Sequence, residues 1–165
     1  MVQNYSINQP GYSFDHYKLE NYVSDSELTT KLKTEIFPQT PLMINYLGHG
    51  SEGLWSDTLF GINDVKSLNH NELPIVSALN CLNSYSSDPD PSVISLGESF
   101  INNANGGAIA FWGSSAMTVP STQIELSDGL QSLMYSAIYN NLKRDVRLGD
   151  IMVQAKAQLG DRAFA

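Results

Sequence analysis

Cysteine is nearly absent from this sequence, and Cys81 is the only one among its 165 residues. A single thiol cannot form a disulfide within the chain, and it cannot supply the several thiolates of a structural zinc site. A lone cysteine is commonly a small buried residue. It can also be a nucleophile, because a thiolate is strongly nucleophilic where its surroundings favour the charged form. The position of Cys81 in the fold therefore decides between these two roles.

Basic residues and long apolar runs are also scarce. The chain has 9 Lys and Arg against 17 Asp and Glu, with a formal net charge of −8 at pH 7. Nucleic acids and anionic membrane surfaces are recognised through clustered basic residues, so we expect neither as a partner. No apolar run approaches the roughly 20 residues that span a bilayer, so we expect no membrane insertion. The first residues do not resemble a signal peptide, and both termini are expected to be cuts through a larger protein.

Apolar runs and helical periodicity alternate along the chain. Short apolar runs at 42–47, 74–79 and 107–112 are typical of parallel strands that are buried on both faces. Aromatic residues at 12, 14 and 17 predict a further strand at 12–19. Helices are predicted at 24–36, 63–68, 95–103, 121–142 and 148–159. This alternation predicts a single α/β domain over 1–165, with a mostly parallel sheet and helices on both faces.

Residues that can take part in catalysis or binding directly follow the three apolar strands. They are Gly48-His49-Gly50, Asn80-Cys81 and Gly113-Ser114-Ser115. Ligands of open α/β sheets bind beyond the carboxyl ends of the strands. We therefore expect an imidazole, a thiol and a Gly/Ser turn to meet at one rim, with His49 as general base or acid and Cys81 as nucleophile.

Other residues near the strand ends have weaker indications. The Gly50 and Cys81 amides are candidate oxyanion donors, although the glycines around His49 also suit a simple tight turn. Trp55 and Trp112 are candidates for lining a substrate cleft, with core or loop packing as the alternative. Ser114 and Ser115 are candidates for supplying a hydroxyl or a main-chain wall, with a simple strand-terminating turn as the alternative. His16 and His70 are expected to be surface or packing residues. The Gly-x-Ser-x-Gly elbow of serine hydrolases is absent, as are nucleotide-binding motifs.

Taken together, these segments resemble the gingipain-type cysteine peptidases of family C25. The resemblance covers roughly residues 11–160. Its specific part is a His-Gly pair followed by a Cys, each after an apolar strand. That chain order differs from the papain-like enzymes, and the lead-in Ala78-Leu79-Asn80-Cys81 differs from the Gln-Ala-Cys of the caspases.

The resemblance implies a caspase-like three-layer α/β sandwich that acts as a cysteine endopeptidase. Cys81 would attack the scissile carbonyl and form a thioester, and His49 would protonate the leaving amine and activate water. The Gly50 and Cys81 amides would hold the oxyanion. The stretch after the third strand, from Ala116 to Pro120, would form part of the wall of the pocket for the residue before the cut. Met117 and Pro120 therefore join Trp55, Ser114 and Ser115 as pocket candidates.

The resemblance also implies a bacterial protein, secreted or at the cell surface, with a polypeptide as substrate and no cofactor for the chemistry. It allows structural calcium but assigns no ligands. The first strand and helix of the family's domain are absent from this sequence, so the chain is expected to need that N-terminal part and to be poorly stable or inactive alone. The alternative function is a caspase-like scaffold that binds partners without turnover.

Overall fold

The computed structural model describes residues 13, 15–90, 92–140 and 146–160, with the backbone alone at 139 and 140. They belong to two compact units. The first unit is Tyr17–Thr118, and the second combines Val119–Ala165 with Met1–His16. The expected residues at the strand ends all belong to the first unit except Pro120.

The first unit contains two small sheets. Its strands are β1 (Met43–Leu47), β2 (Gly50–Ser51), β3 (Leu54–Trp55), β4 (Phe60–Gly61), β5 (Ile75–Leu79) and β6 (Ala110–Gly113). β1, β5 and β6 form a parallel sheet in the order β1-β5-β6, whereas β2, β3 and β4 form an antiparallel one. The three strands predicted from apolar runs are confirmed, and β5 is central because both of its edges are paired.

Three α-helices belong to this unit: α1 (Asp25–Lys31), α2 (Ile62–Lys66) and α3 (Leu96–Asn102). Ser24, the first residue of the predicted helix 24–36, has the capping-box spacing with Glu27. Its side chain accepts a hydrogen bond from the Glu27 amide at 3.3 Å at the start of α1. After Lys31 the helix widens into a π-turn at Leu32–Ile36 and then tightens into a 3₁₀ turn at Phe37–Gln39. Thr40, in the left-handed region at φ 53°, ends the segment.

One face of the parallel sheet and these helices enclose the core of the unit. Alternate strand residues point to the same face of a sheet, so Ile44, Val76, Ala78 and Phe111 line this core together. Four buried rings pack against one another in it: Phe37, Trp55, Phe60 and Phe100. His70 stacks on Phe37 with ring centroids 5.5 Å apart, so it is a packing residue, as expected.

The strand predicted at 12–19 is wrong over its described part. Residues 13 and 15–18 are neither helix nor strand, and Leu19–Asn21 form a 3₁₀ turn. Tyr12 and Phe14 lie outside the described residues. Tyr17 and Leu19 are 36% and 38% exposed. A segment rich in aromatic residues does not form a strand unless a neighbouring chain segment pairs with its amides and carbonyls.

The second unit contains two helices, α4 (Pro120–Asn140) and α5 (Leu148–Gln158), which confirm two predicted helices within the described residues. They approach closely at Gly129, where a Cβ would lie 2.7 Å from Gln158 Oε1. Four apolar residues of the two helices are buried: Leu130, Met134, Ile151 and Ala155. In the part of the chain that the structure describes, no helix has the length and apolarity to cross a bilayer.

Candidate active site

The register of the parallel sheet brings the His49 and Cys81 segments together. Leu47 of β1 lies opposite Leu79 of β5, and each candidate residue follows two positions after one member of that pair. Paired strands lie about 4.8 Å apart, so the two segments leave the same edge of the sheet from adjacent positions. The two segments therefore begin side by side at the carboxyl end of the parallel sheet.

The main chain at His49 is held from two directions. The Tyr46 hydroxyl donates to the His49 carbonyl at 2.7 Å, and the Ser56 amide donates to the same oxygen at 2.8 Å. Tyr46 stacks on Trp55 with ring centroids 4.5 Å apart. Burial raises the pKa of Tyr46 to about 12, so its hydroxyl keeps the proton that it donates throughout the physiological range. The His49 residue itself is exposed, which leaves its imidazole accessible to a ligand.

Gly50 packs directly against the residue that precedes Cys81. A Cβ at position 50 would lie 2.0 Å from Asn80 Nδ2 and 3.1 Å from the Leu54 carbonyl oxygen. Real Cβ atoms do not approach other atoms that closely, so only glycine fits here. Glycine is therefore required at position 50 by the close approach of the His49 and Cys81 segments.

Two buried asparagines, Asn80 and Asn83, connect these segments, and no role was predicted for either from the sequence. Asn80 Nδ2 donates to Asn83 Oδ1 at 2.6 Å. The Asn83 side chain in turn donates to the carbonyl of Leu54 at 3.1 Å and to that of Ser51. Both asparagines are fully buried. The sequence offers one signal for these residues. Asparagine is common in turns, and Asn80 and Asn83 flank the turn at Cys81.

Replacing Asn83 by alanine is expected to lower the free energy of unfolding by about 3 kcal/mol, because it leaves several buried polar groups without partners. Urea denaturation would measure the change. Asn102→Ala, at the exposed end of α3, is the matched control and is expected to stay within about 0.5 kcal/mol of the parent protein. Equal stability of the two variants would contradict the role of Asn83 as a connector.

Cys81 lies where the chain turns back after β5. Leu82, the next residue, is in the left-handed region at φ 64°. Its amide donates to the Ala116 carbonyl at 3.2 Å, and the Ser84 amide donates to the Ser114 carbonyl at 2.9 Å. Cys81 is partly exposed, and its sulfur contacts polar atoms of Thr118, so it is not sealed in apolar packing. Cys81 therefore lies at a partly exposed turn, and its sulfur has polar neighbours.

The candidate pocket residues separate into two groups. Ser115 and Met117 are exposed, and Ser114 is partly exposed beside the Cys81 turn, where its hydroxyl donates to the Ala116 carbonyl at 2.8 Å. Pro120 is exposed at the start of α4 in the second unit. The prediction for Trp55 needs correction, because it is only 1% exposed and packs on Tyr46, Phe60 and Phe100 in the core.

Two carboxylates of the first unit, Glu98 and Asp64, have structural partners. Glu98 accepts hydrogen bonds from the Ser95 amide at 2.7 Å and the Ser95 hydroxyl at 2.8 Å, and these lower its pKa. Asp64 accepts from the Gly61 amide at 3.0 Å and pairs with Lys33 at 3.3 Å. Within the described ranges, no cluster of three or more His, Cys, Asp or Glu side chains could hold a metal ion.

Comparison with known proteins identifies the family. The sequence matches the model of peptidase family C25 over residues 4–163, nearly its full length. The chain belongs to peptidase family C25. Among proteins of curated function, none is similar enough to count as a match.

Solved structures share the fold of this C25 chain. The crystal structure of the Arg-specific cysteine proteinase gingipain R (RgpB) matches with a TM-score of 0.63 and 22% identity, over 77% of this chain and 30% of that one. A complex of the pro- and mature domains of RgpB from Porphyromonas gingivalis matches with a TM-score of 0.67 and 22% identity, over 86% and 33%. These matches confirm the predicted gingipain-type, caspase-like α/β class. The chain spans about a third of the length of these structures.

Proposed function

We propose that this protein is a cysteine endopeptidase in which Cys81 and His49 carry out the cleavage. The observation that carries the proposal is the matched position of the two residues, each two places beyond the paired Leu47 and Leu79. Membership of family C25 supports the same chemistry. Cys81 is partly exposed and its sulfur has polar neighbours in Thr118, so the thiol is not sealed in apolar packing.

The proposed reaction has two steps. The Cys81 thiolate attacks the scissile carbonyl carbon, the C–N bond breaks, and the His49 imidazolium gives its proton to the leaving amine. His49, now neutral, takes a proton from water, whose oxygen attacks the thioester and releases the carboxylic acid with the thiolate restored. Thiol and imidazole supply the nucleophile and both proton transfers, so we propose no cofactor for bond cleavage. Structural calcium remains an implication of the resemblance alone.

The register of β2 and β3 supports an oxyanion role for the Gly50 amide. Gly50 lies opposite Trp55, and the flanking Ser56 amide donates to the His49 carbonyl. Gly50 therefore occupies a non-hydrogen-bonded position of the antiparallel pair, where its N–H points away from β3. We propose that this N–H and the Cys81 N–H stabilise the negative oxygen of the tetrahedral intermediate.

The proposed substrate is a polypeptide, and the exposed Ser115 and Met117 are proposed to contact the residue before the cut, with Ser114 behind them. An extracellular or cell-surface location is proposed from the gingipain resemblance. No preference for a basic, acidic or apolar residue at the cut is proposed.

Alkylation of the intact protein tests this function. Iodoacetamide at neutral pH is expected to modify Cys81 rapidly and to abolish cleavage of denatured casein in proportion to the fraction of Cys81 modified. Peptide mass spectrometry measures the modification, and fluorescent casein measures the cleavage. A protein that reacts slowly and cleaves no peptide bond would instead be a binding module, and full cleavage after complete alkylation would reject Cys81 as nucleophile.

A further inference from the structure

We propose that Thr118 is a positioning residue for the Cys81 sulfur, and that its hydroxyl changes partner as the sulfur loses its proton. The inference rests on the proposed function of Cys81. Three polar groups of Thr118 surround the sulfur. The amide donates to Sγ at 3.4 Å, the hydroxyl oxygen lies 3.6 Å from Sγ, and the carbonyl oxygen lies 3.8 Å from it.

The main chain fixes this contact independently of the threonine side chain. The segment after β6 runs antiparallel to the segment after β5, because Ser84 bonds to Ser114 and Leu82 to Ala116. The same pairing direction places Thr118 beside Asn80 and Cys81, where the Thr118 hydroxyl donates to the Asn80 carbonyl at 3.2 Å. Because Asn80 is fully buried, the acceptor of that hydroxyl is held in place.

A hydroxyl has one proton to donate and two lone pairs that accept, so it can serve both protonation states of the sulfur. With the thiol protonated, the Thr118 hydroxyl donates to the Asn80 carbonyl and its oxygen or the Thr118 carbonyl accepts from S–H. With the thiolate, the hydroxyl rotates and donates to the sulfur alongside the Thr118 amide. Charged acceptors form the stronger hydrogen bonds, so the rotation favours the thiolate that attacks the substrate.

Three variants separate the hydroxyl from the rest of the residue. Thr118→Val is nearly isosteric and keeps the amide but removes the hydroxyl, whereas Thr118→Ser keeps the hydroxyl. Thr34→Val is the matched control, because Thr34 is exposed and also donates its hydroxyl to a main-chain carbonyl, that of Thr30 at 2.9 Å. The readouts are the rate of alkylation of Cys81 by iodoacetamide and the separate kcat and KM for peptide cleavage.

Thr118→Val is expected to slow the alkylation of Cys81 and to lower kcat by about 10- to 100-fold, with KM changed by less than about threefold. Thr118→Ser is expected to retain both rates within about threefold, and Thr34→Val to leave them unchanged. A Thr118→Val protein that alkylates at the parental rate would overturn the inference. If this variant does not fold, Thr118→Ala and Thr118→Ser decide instead, because they differ only in the hydroxyl.

The alkylation rate does not depend on turnover, so the two proposals can fail separately. If cleavage requires Cys81 but is unaffected in Thr118→Val, the proposed peptidase function holds and the proposed role of Thr118 is rejected. A parent protein that cleaves nothing would reject the peptidase, and the alkylation rates would still decide whether Thr118 positions the sulfur.

Discussion

Cys81→Ala is expected to reduce peptide cleavage by at least about 10⁴-fold, because the variant has no atom that can form the thioester. His49→Ala is expected to lower kcat by about 10²- to 10⁴-fold, since water must then replace the imidazole in both proton transfers. The measurement is cleavage of a quenched fluorescent peptide library by the intact protein, with the folded state of each variant checked by circular dichroism.

His16→Ala is the control for the histidine, because His16 is exposed and lies outside the unit that contains His49. It is expected to keep full activity. In the proposed mechanism Cys81 and His49 act as one unit, so the Cys81→Ala, His49→Ala double variant should be about as slow as Cys81→Ala alone. Turnover at the parental level in Cys81→Ala would reject the proposed mechanism, whatever His49→Ala does.

Gly50→Ala is expected to remove about 2–6 kcal/mol of unfolding free energy, together with most of the activity. The added methyl would lie 2.0 Å from the side-chain nitrogen Nδ2 of Asn80 and 3.1 Å from the Leu54 carbonyl oxygen. Overpacking a filled site costs about 1–3 kcal/mol. Displacing Asn80 also breaks its hydrogen bond to Asn83 and leaves buried polar groups unpaired, which costs a further 1–3 kcal/mol or so.

A double-mutant cycle tests the cause of that loss. In an Asn80→Ala background the clashing amide is gone, so Gly50→Ala should cost less there than in the parent protein. Gly149→Ala is the matched control, because nothing lies within 4 Å of its added methyl and it lies in α5, where alanine is the better helix former. It is expected to be neutral or to stabilise by up to about 1 kcal/mol. Equal effects at 50 and 149 would contradict the packing argument.

Several features of the fold were predictable because they are recorded locally in the sequence. Continuous apolar runs predicted β1, β5 and β6, since a strand buried on both faces needs apolar residues in succession. Ser24 and Glu27 predicted the start of α1 through their capping spacing. The strand predicted at 12–19 was wrong, because a strand forms only where a neighbouring segment pairs with it, and no local pattern contains that neighbour.

The candidate site was likewise predictable from the sequence only in part. Its position at the carboxyl ends of the strands followed from the order of elements, because parallel strands all end at one edge of a sheet. The burial of Trp55 did not follow, because a tryptophan at that position fits a cleft or a core equally well until its neighbours are known. The same holds for Thr118, which lies far from Cys81 along the chain and meets it only through the pairing of two loops.

The sequence by itself determined the parallel sheet, most of the helices and the two residues that could carry out cysteine chemistry, because residue type and periodicity are local properties. The tertiary structure decided which groups surround those residues: the Asn80 amide against Gly50, the Asn83 links to β3 and the Thr118 contacts with the sulfur. Such contacts depend on register and on the direction of each loop. Both are set by the packing of the whole unit, in which residues far apart in the chain become neighbours.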